Sequence, residues 1–183
     1  MPDVQLVATI REEFAKIKSL ADRAVAQVTD DAALHHQLDP EANSIAVLMR
    51  HMAGNMRSRW TSFLTTDGEK PDRQRDREFE DAGLDRTALL AEWEAGWRVT
   101  FDALAALTDD DLGRIVHIRA EPHTVHRALV RQLAHYAGHA YQIVYLARHV
   151  AGPAWTSLSV PRGESEACNQ RALAARRPPT APA

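Results

Sequence analysis

The stretch TVHRALVRQLAHYAGHAYQIVYLARHV, residues 124–150, decides how this chain folds. Leu129, Leu133, Tyr136, Ala140, Ile143, Val144 and Ala147 fall at three- and four-residue intervals, so they share one face of a long α-helix. Gly152-Pro153 stops it. A helix with one apolar face needs partners to cover that face, and the rest of the chain supplies three. The first spans about Asp3 to Val28, where Val7, Phe14, Ala21 and Val28, with Ile10, Ile17 and Ala24, repeat every seven residues as a bundle seam and Asp3 serves as N-cap. The second runs from about Ser44 to Thr65, capped by Asn43 or Ser44, with Ile45, Leu48, Met49, Met52, Met56, Trp60 and Phe63 on its apolar side. The third runs from about Asp85 to Leu107, capped by Asp85, with Leu89, Leu90, Trp93, Trp97, Phe101 and Leu104 as its buried stripe. The fold class is therefore all-α, and four helices suit a bundle.

The connections refine this. The second and third helices are about 18 residues apart, and a linker of that size can reach about 60 Å against roughly 33 Å for the second helix. It can cross the whole bundle, which permits an up-down-down-up order with the second and fourth helices antiparallel. The charge-rich part of that linker, Arg73 to Glu80, reads as a solvated loop face. Arg114 to Ile118 alternates like a short strand ahead of a turn at Ala120-Glu121-Pro122, a candidate β-hairpin. Beyond Pro153, Trp155, Leu158, Val160 and Pro161 suit an extended strap. The domain so defined covers residues 1–170, and the Ala-, Arg- and Pro-rich residues 171–183 read as a disordered tail.

Composition narrows the function. The 183 residues carry a formal charge of −3 and no long basic run, so neither nucleic acid nor an anionic membrane finds electrostatic support. No stretch approaches the roughly 20 apolar residues of a membrane span. The beginning lacks the features of a secretory signal, and the single cysteine, Cys168, allows no internal disulfide; both fit the cytoplasm. Cys168 has no activating neighbour in the sequence.

Nine histidines are a mild excess. His135 and His139, spaced i, i+4, sit one turn apart at the flank of the fourth helix's apolar stripe, where two imidazoles can converge on one cation. Such a pair arises by chance in a histidine-rich chain, and it lacks the glutamate of the H-E-x-x-H zinc proteases, because Tyr136 follows His135. His51 lies at the flank of the second helix's stripe. Antiparallel pairing of these two helices brings it beside His139 and His135, making a three-imidazole site with further positions open to water or a ligand. Imidazole suits zinc, nickel, copper and iron, so the ligand type leaves the divalent metal open. His35, His36, His117, His123, His126 and His149 read as loop, hairpin or helix-end residues. Trp60, Trp93 and Trp97 read as core, and Arg57 and Arg59 as salt-bridged or solvated rather than facing an anionic ligand.

Several separated motifs, in order, resemble the DinB-like (DinB/YfiT) superfamily over about Phe14 to Gln170. They are Asp39 to Ala46 leading into His51; Arg57-Ser58-Arg59-Trp60 with Phe63 to Lys70; Ile118 to Val125; Arg131 to His139; Gln142 to Ala147; and Trp155 to Gly163. The resemblance implies an up-down-down-up four-helix bundle, one divalent metal on His51, His135 and His139, and homodimers. Better-understood members include a mycothiol-dependent maleylpyruvate isomerase and bacillithiol transferases. Three functions compete on this footing. A metal-dependent enzyme would transfer a low-molecular-weight thiol cosubstrate to a small-molecule electrophile, or hydrolyse a substrate. A metal-stabilised binding or stress-response protein would hold the ion in a structural or sensory role. A metal-free bundle would leave the three histidines bonded to one another and to water. No residue is assigned as the general base: Tyr136 and Tyr141 point to different sides of their helix.

Overall fold

The computed structural model describes residues 5–175. They are mostly helical, with five α-helices and one small antiparallel hairpin: α1 (Leu6–Val25), α2 (Ile45–Trp60), α3 (Arg86–Ala105), β1 (Ile115–Ile118), β2 (Glu121–Thr124), α4 (Val125–Ala151) and α5 (Ser165–Ala175). Short 3-10 turns lie at Asp31–His35, Arg75–Phe79, Asp109–Asp111 and Gly152–Ala154. Among the described residues no helix is long and apolar enough to cross a membrane.

Local chemistry sets most of the boundaries. Ser44, Asp85 and Thr124 each accept a backbone N–H three residues on and so cap α2, α3 and α4. Gly152, at φ 52°, turns the chain out of α4 just before Pro153. The start of α1 is different. Gln5 gives no side-chain cap; instead the carboxylate of Asp109 accepts the free Leu6 and Val7 N–H groups at 2.8 and 2.9 Å. The expected cap, Asp3, lies outside the described residues.

The apolar faces meet as one core that includes Phe14, Met52, Met56, Trp60, Trp93, Trp97 and Tyr136. Of the third helix's expected stripe, Leu89, Trp93, Trp97 and Leu104 are buried, Phe101 is half-buried, and Leu90 is exposed. Contacts fix which parts of each helix are level. Trp93 donates to Asp22 at 2.8 Å, and Leu6 lies by Asp109, so the end of α1 meets the first half of α3. Arg50 lies 3.8 Å from Glu92. Gly96 faces Ala53 so closely that a Cβ there would stand 2.9 Å from the Ala53 Cα. Asn55 meets Gln132 and Tyr136 across α2 and α4.

Three local expectations change. Helix α2 stops at Trp60 rather than near Thr65, because Ser62 takes a positive φ of 50° and a turn carries Phe63 back into the core. The hairpin forms, but its turn is Arg119-Ala120, both at positive φ, and Pro122 lies within β2. The Asp67 carboxylate holds that costly turn by accepting the Arg119 and Ala120 N–H groups at 2.9 and 2.7 Å. Finally, residues read as strap and tail form α5 from Ser165 to Ala175, a run rich in good helix formers. The remainder of the expected tail, from residue 176, lies outside the described residues. Ahead of α5, Trp155 and Leu158 pack on the core, and the Gln27 amide pairs with the Thr156 backbone at 2.7 and 3.0 Å.

Candidate metal centre

His51 sits on α2 and is 4% exposed; His135 and His139 sit one turn apart on α4 and are half-buried. One ring nitrogen from each lies within 4.8 Å of the others. Among the described residues this is the one group of three or more metal-ligating side chains so placed. The two α4 imidazoles face each other Nε2 to Nε2 at 3.1 Å. Two ligand nitrogens bound to a tetrahedral zinc at about 2.05 Å stand about 3.3 Å apart, so the spacing suits a shared ion.

The outer partners decide which nitrogen points inward. His51 Nδ1 lies 2.9 Å from the Glu78 carboxylate. A carboxylate only accepts, so Nδ1 carries a proton and Nε2 is the nitrogen left to bind a ligand. His139 Nδ1 donates in the same way to Gln142 Oε1 at 2.8 Å, so Nε2 is the nitrogen turned toward His135. Burial, followed by the neighbouring His139 and His51, pushes the His135 pKa down to about 3. Burial also lowers that of His139, against the opposing pull of Gln142. Both rings are therefore held neutral, the form that binds metal.

Glu78 overturns the reading of residues 73–80 as a solvated face. The 3-10 turn Arg75–Phe79 folds back on α2. Glu78 becomes 9% exposed, and Phe79 lies on the His51 ring with centroids 4.3 Å apart. Burial alone would raise the Glu78 pKa; hydrogen bonds from Arg73 at 2.7 and 2.8 Å and from His51 outweigh it and hold the carboxylate ionised. Gly54 makes room, since a Cβ there would lie 2.3 Å from Glu78 Oε1. The one sequence signal for this inward turn was Phe79, an aromatic inside a charged run. Arg59 departs from expectation too. It is neither solvated nor salt-bridged but 3% exposed, whereas Arg57 is exposed.

Beneath the imidazoles runs a buried polar chain. Trp60 Nε1 donates to the Tyr136 hydroxyl at 2.9 Å, and Tyr136 and Gln132 both donate to Asn55 Oδ1. Tyr136 is thus a core residue whose hydroxyl is spoken for, and burial raises its pKa further; Tyr141 is exposed. The other histidines lie elsewhere. His35 joins Asp81 and the Leu84 carbonyl, His36 stacks on His149, His123 is buried in the hairpin, and His117 and His126 are exposed.

Compared with known families, residues 3–164 match the family described as "Protein of unknown function (DUF1572)". No curated protein matches the chain.

Proposed function

We propose that this chain, which belongs to the DUF1572 family, is a metal-dependent enzyme of the DinB-like kind that holds one divalent ion on His51, His135 and His139. One observation carries the reading: three ring nitrogens from two helices lie within 4.8 Å of one another, two of them with the opposite nitrogen already committed to an acceptor. Imidazoles backed by a carboxylate at His51 and an amide at His139 match the way metal-binding histidines are oriented by their outer partners.

The bundle reading draws on the same contacts. Arg50 level with Glu92, and Ala53 with Gly96, makes α2 and α3 run in one direction. His51 level with His139, and Asn55 with Gln132, makes α2 and α4 run in opposite directions. Leu6 near Asp109 and Trp93 near Asp22 oppose α1 to α3. These relations favour a four-helix bundle in up-down-down-up order, with the residue 61–85 linker as its crossover.

When bound, the ion would supply Lewis acidity and bring the pKa of a coordinated water or thiol toward neutrality. The chain's own groups do the rest. Glu78 fixes the His51 tautomer, Arg73 keeps Glu78 ionised, and Phe79 covers the ring. The reaction we favour transfers a low-molecular-weight thiol to a small-molecule electrophile, with hydrolysis as the other form, in a homodimer. The test begins with elemental analysis of protein purified without a histidine tag. About one zinc, nickel or iron per chain is expected, lost in His51→Ala, followed by turnover with a thiol and an electrophile. A chain that binds none of these ions after incubation refutes the metal site. Bound metal without turnover on common thiols or esters refutes the enzyme and leaves a metal-stabilised binding protein.

A further inference from the structure

Five arginines face one cavity of about 220 Å³: Arg59, Arg73, Arg75, Arg119 and Arg131. His51 and His135 form part of its wall, so the cavity opens directly onto the candidate metal centre. The carboxylates nearby are too few for this much charge, and they are already engaged. Glu78 bonds Arg73 and His51, and Glu69 bonds Arg73 and Arg119 at 3.1 and 3.3 Å. Asp76 approaches Arg75 only to 3.8 Å and is itself fully in solvent. The Arg131 guanidinium donates to the Gln132 side-chain oxygen at 3.3 Å.

Arg59 is the telling group. Its Nε and Nη1 are buried and meet no acceptor among the described residues. A guanidinium stays charged at any ordinary pH, and burying one unpaired is strongly unfavourable. Burial, then the like charge of Arg131, lowers its pKa. A side chain kept only for packing could be a methionine of similar length. A guanidinium without an acceptor, set among four more that line the same polar cavity, is instead the arrangement that recognises an oxyanion. The size agrees: at about 30 Å³ of liquid volume per water, the cavity has room for roughly seven waters or one small molecule.

We propose that this cavity is an oxyanion subsite, in which Arg59 and Arg131 grip the carboxylate or phosphate of a small-molecule substrate whose reacting atom lies at the three imidazoles. Its second half rests on the metal reading above; the anion site itself stands on the arginines.

The experiment is thermal melting of the full chain, stripped of metal and separately loaded with zinc. It is run in sodium succinate, in sodium phosphate, in neutral succinamide and in sodium chloride at matched ionic strength, with metal content measured alongside. Succinate or phosphate should raise the melting temperature of the stripped chain beyond chloride, and succinamide should not; the better of the two anions identifies carboxylate or phosphate. Arg131→Gln, at an exposed position, should weaken the apparent oxyanion affinity about tenfold or more. Arg59→Met should abolish the response and also raise the melting temperature of the anion-free chain, which a structural arginine would not do. Oxyanions no better than chloride, or an unchanged response in Arg131→Gln, would overturn the proposal. An intact oxyanion response in a chain that binds no metal refutes the metal reading and leaves the subsite standing. Metal bound without an oxyanion response does the reverse.

Discussion

Replacing Glu78 by glutamine should weaken metal binding about tenfold while leaving all three imidazoles in place. The carboxylate lies 2.9 Å from His51 Nδ1 in a buried setting and accepts its proton. A hydrogen bond to a charged group contributes about 1.5–3 kcal/mol, and an amide oxygen can still accept, so the loss sits at the lower end. About 1.5 kcal/mol is roughly a tenfold rise in Kd, within the range for outer partners of metal-binding histidines. Gly54→Ala reaches the same endpoint by another route. The new Cβ would stand 2.3 Å from Glu78 Oε1, so the carboxylate must leave its place even though every ligand and Glu78 itself remain. The assay is competition for zinc against a chromophoric chelator, with circular dichroism to confirm folding. Both variants staying within twofold of the parent, while His51→Ala no longer binds, would refute the reasoning. His51 would then owe its orientation to Phe79 and not to the carboxylate.

Two further outcomes follow from the same geometry. In the metal-stripped chain, His135 titrates near 3 when folded and near its ordinary 6.5 when unfolded. Between those values the unfolded chain binds the proton and the folded chain does not, so this contribution is complete above about pH 6.5 and is lost as pH falls toward 3. The shift of His139 acts in the same direction. Melting temperature should therefore fall from pH 7 to pH 5, above the range where carboxylates dominate, and His135→Leu should flatten that slope; equal slopes would refute it. Separately, Asp109→Ala should cost about 1–2 kcal/mol in urea unfolding, because the Leu6 and Val7 N–H groups lose their acceptor and the helix start its negative charge. A change under a few tenths would mean that water replaces the cap without loss.

What the sequence made legible was local. The apolar periodicity of α4, the caps at Ser44 and Asp85, the strand alternation at Val116 and Ile118 and the i, i+4 pairing of His135 and His139 all lie within a few residues of one another. Joining His51 to that pair needed one long-range step, and the length of the linker supplied it. The rest depends on contacts between distant segments that leave no local trace. Asp109 caps a helix about a hundred residues away. The end of α2 is set by where Phe63 must pack, and the Arg119-Ala120 turn is tolerable only because Asp67 grips it. A run such as Arg73 to Glu80 looks solvated for a sound reason, since isolated charges avoid the interior. It was misread because Arg73 and Glu78 neutralise each other and can go inside together.

The inward turn of Glu78 bears on why the linker between α2 and α3 is so long. In the proposed up-down-down-up order the linker must return along the whole length of α2 to start α3 in the same direction, and on the way it lays Phe79 on His51 and delivers Glu78 to its Nδ1. No residue of α2 offers that acceptor, and the position nearest the gap is Gly54, whose missing side chain leaves it open. A buried carboxylate needs a counter-charge, which Arg73 provides. Arg73 in turn shares Glu69 with Arg119 of the hairpin turn. One chain of alternating charges thus runs from the hairpin, through the linker, to His51. An oxyanion held among the cavity's arginines would compete with Glu69 and Glu78 for Arg73, and would loosen the hold of Glu78 on His51. On this argument the arginine cavity and the candidate metal centre would be coupled through Arg73, and each should feel whether the other is filled.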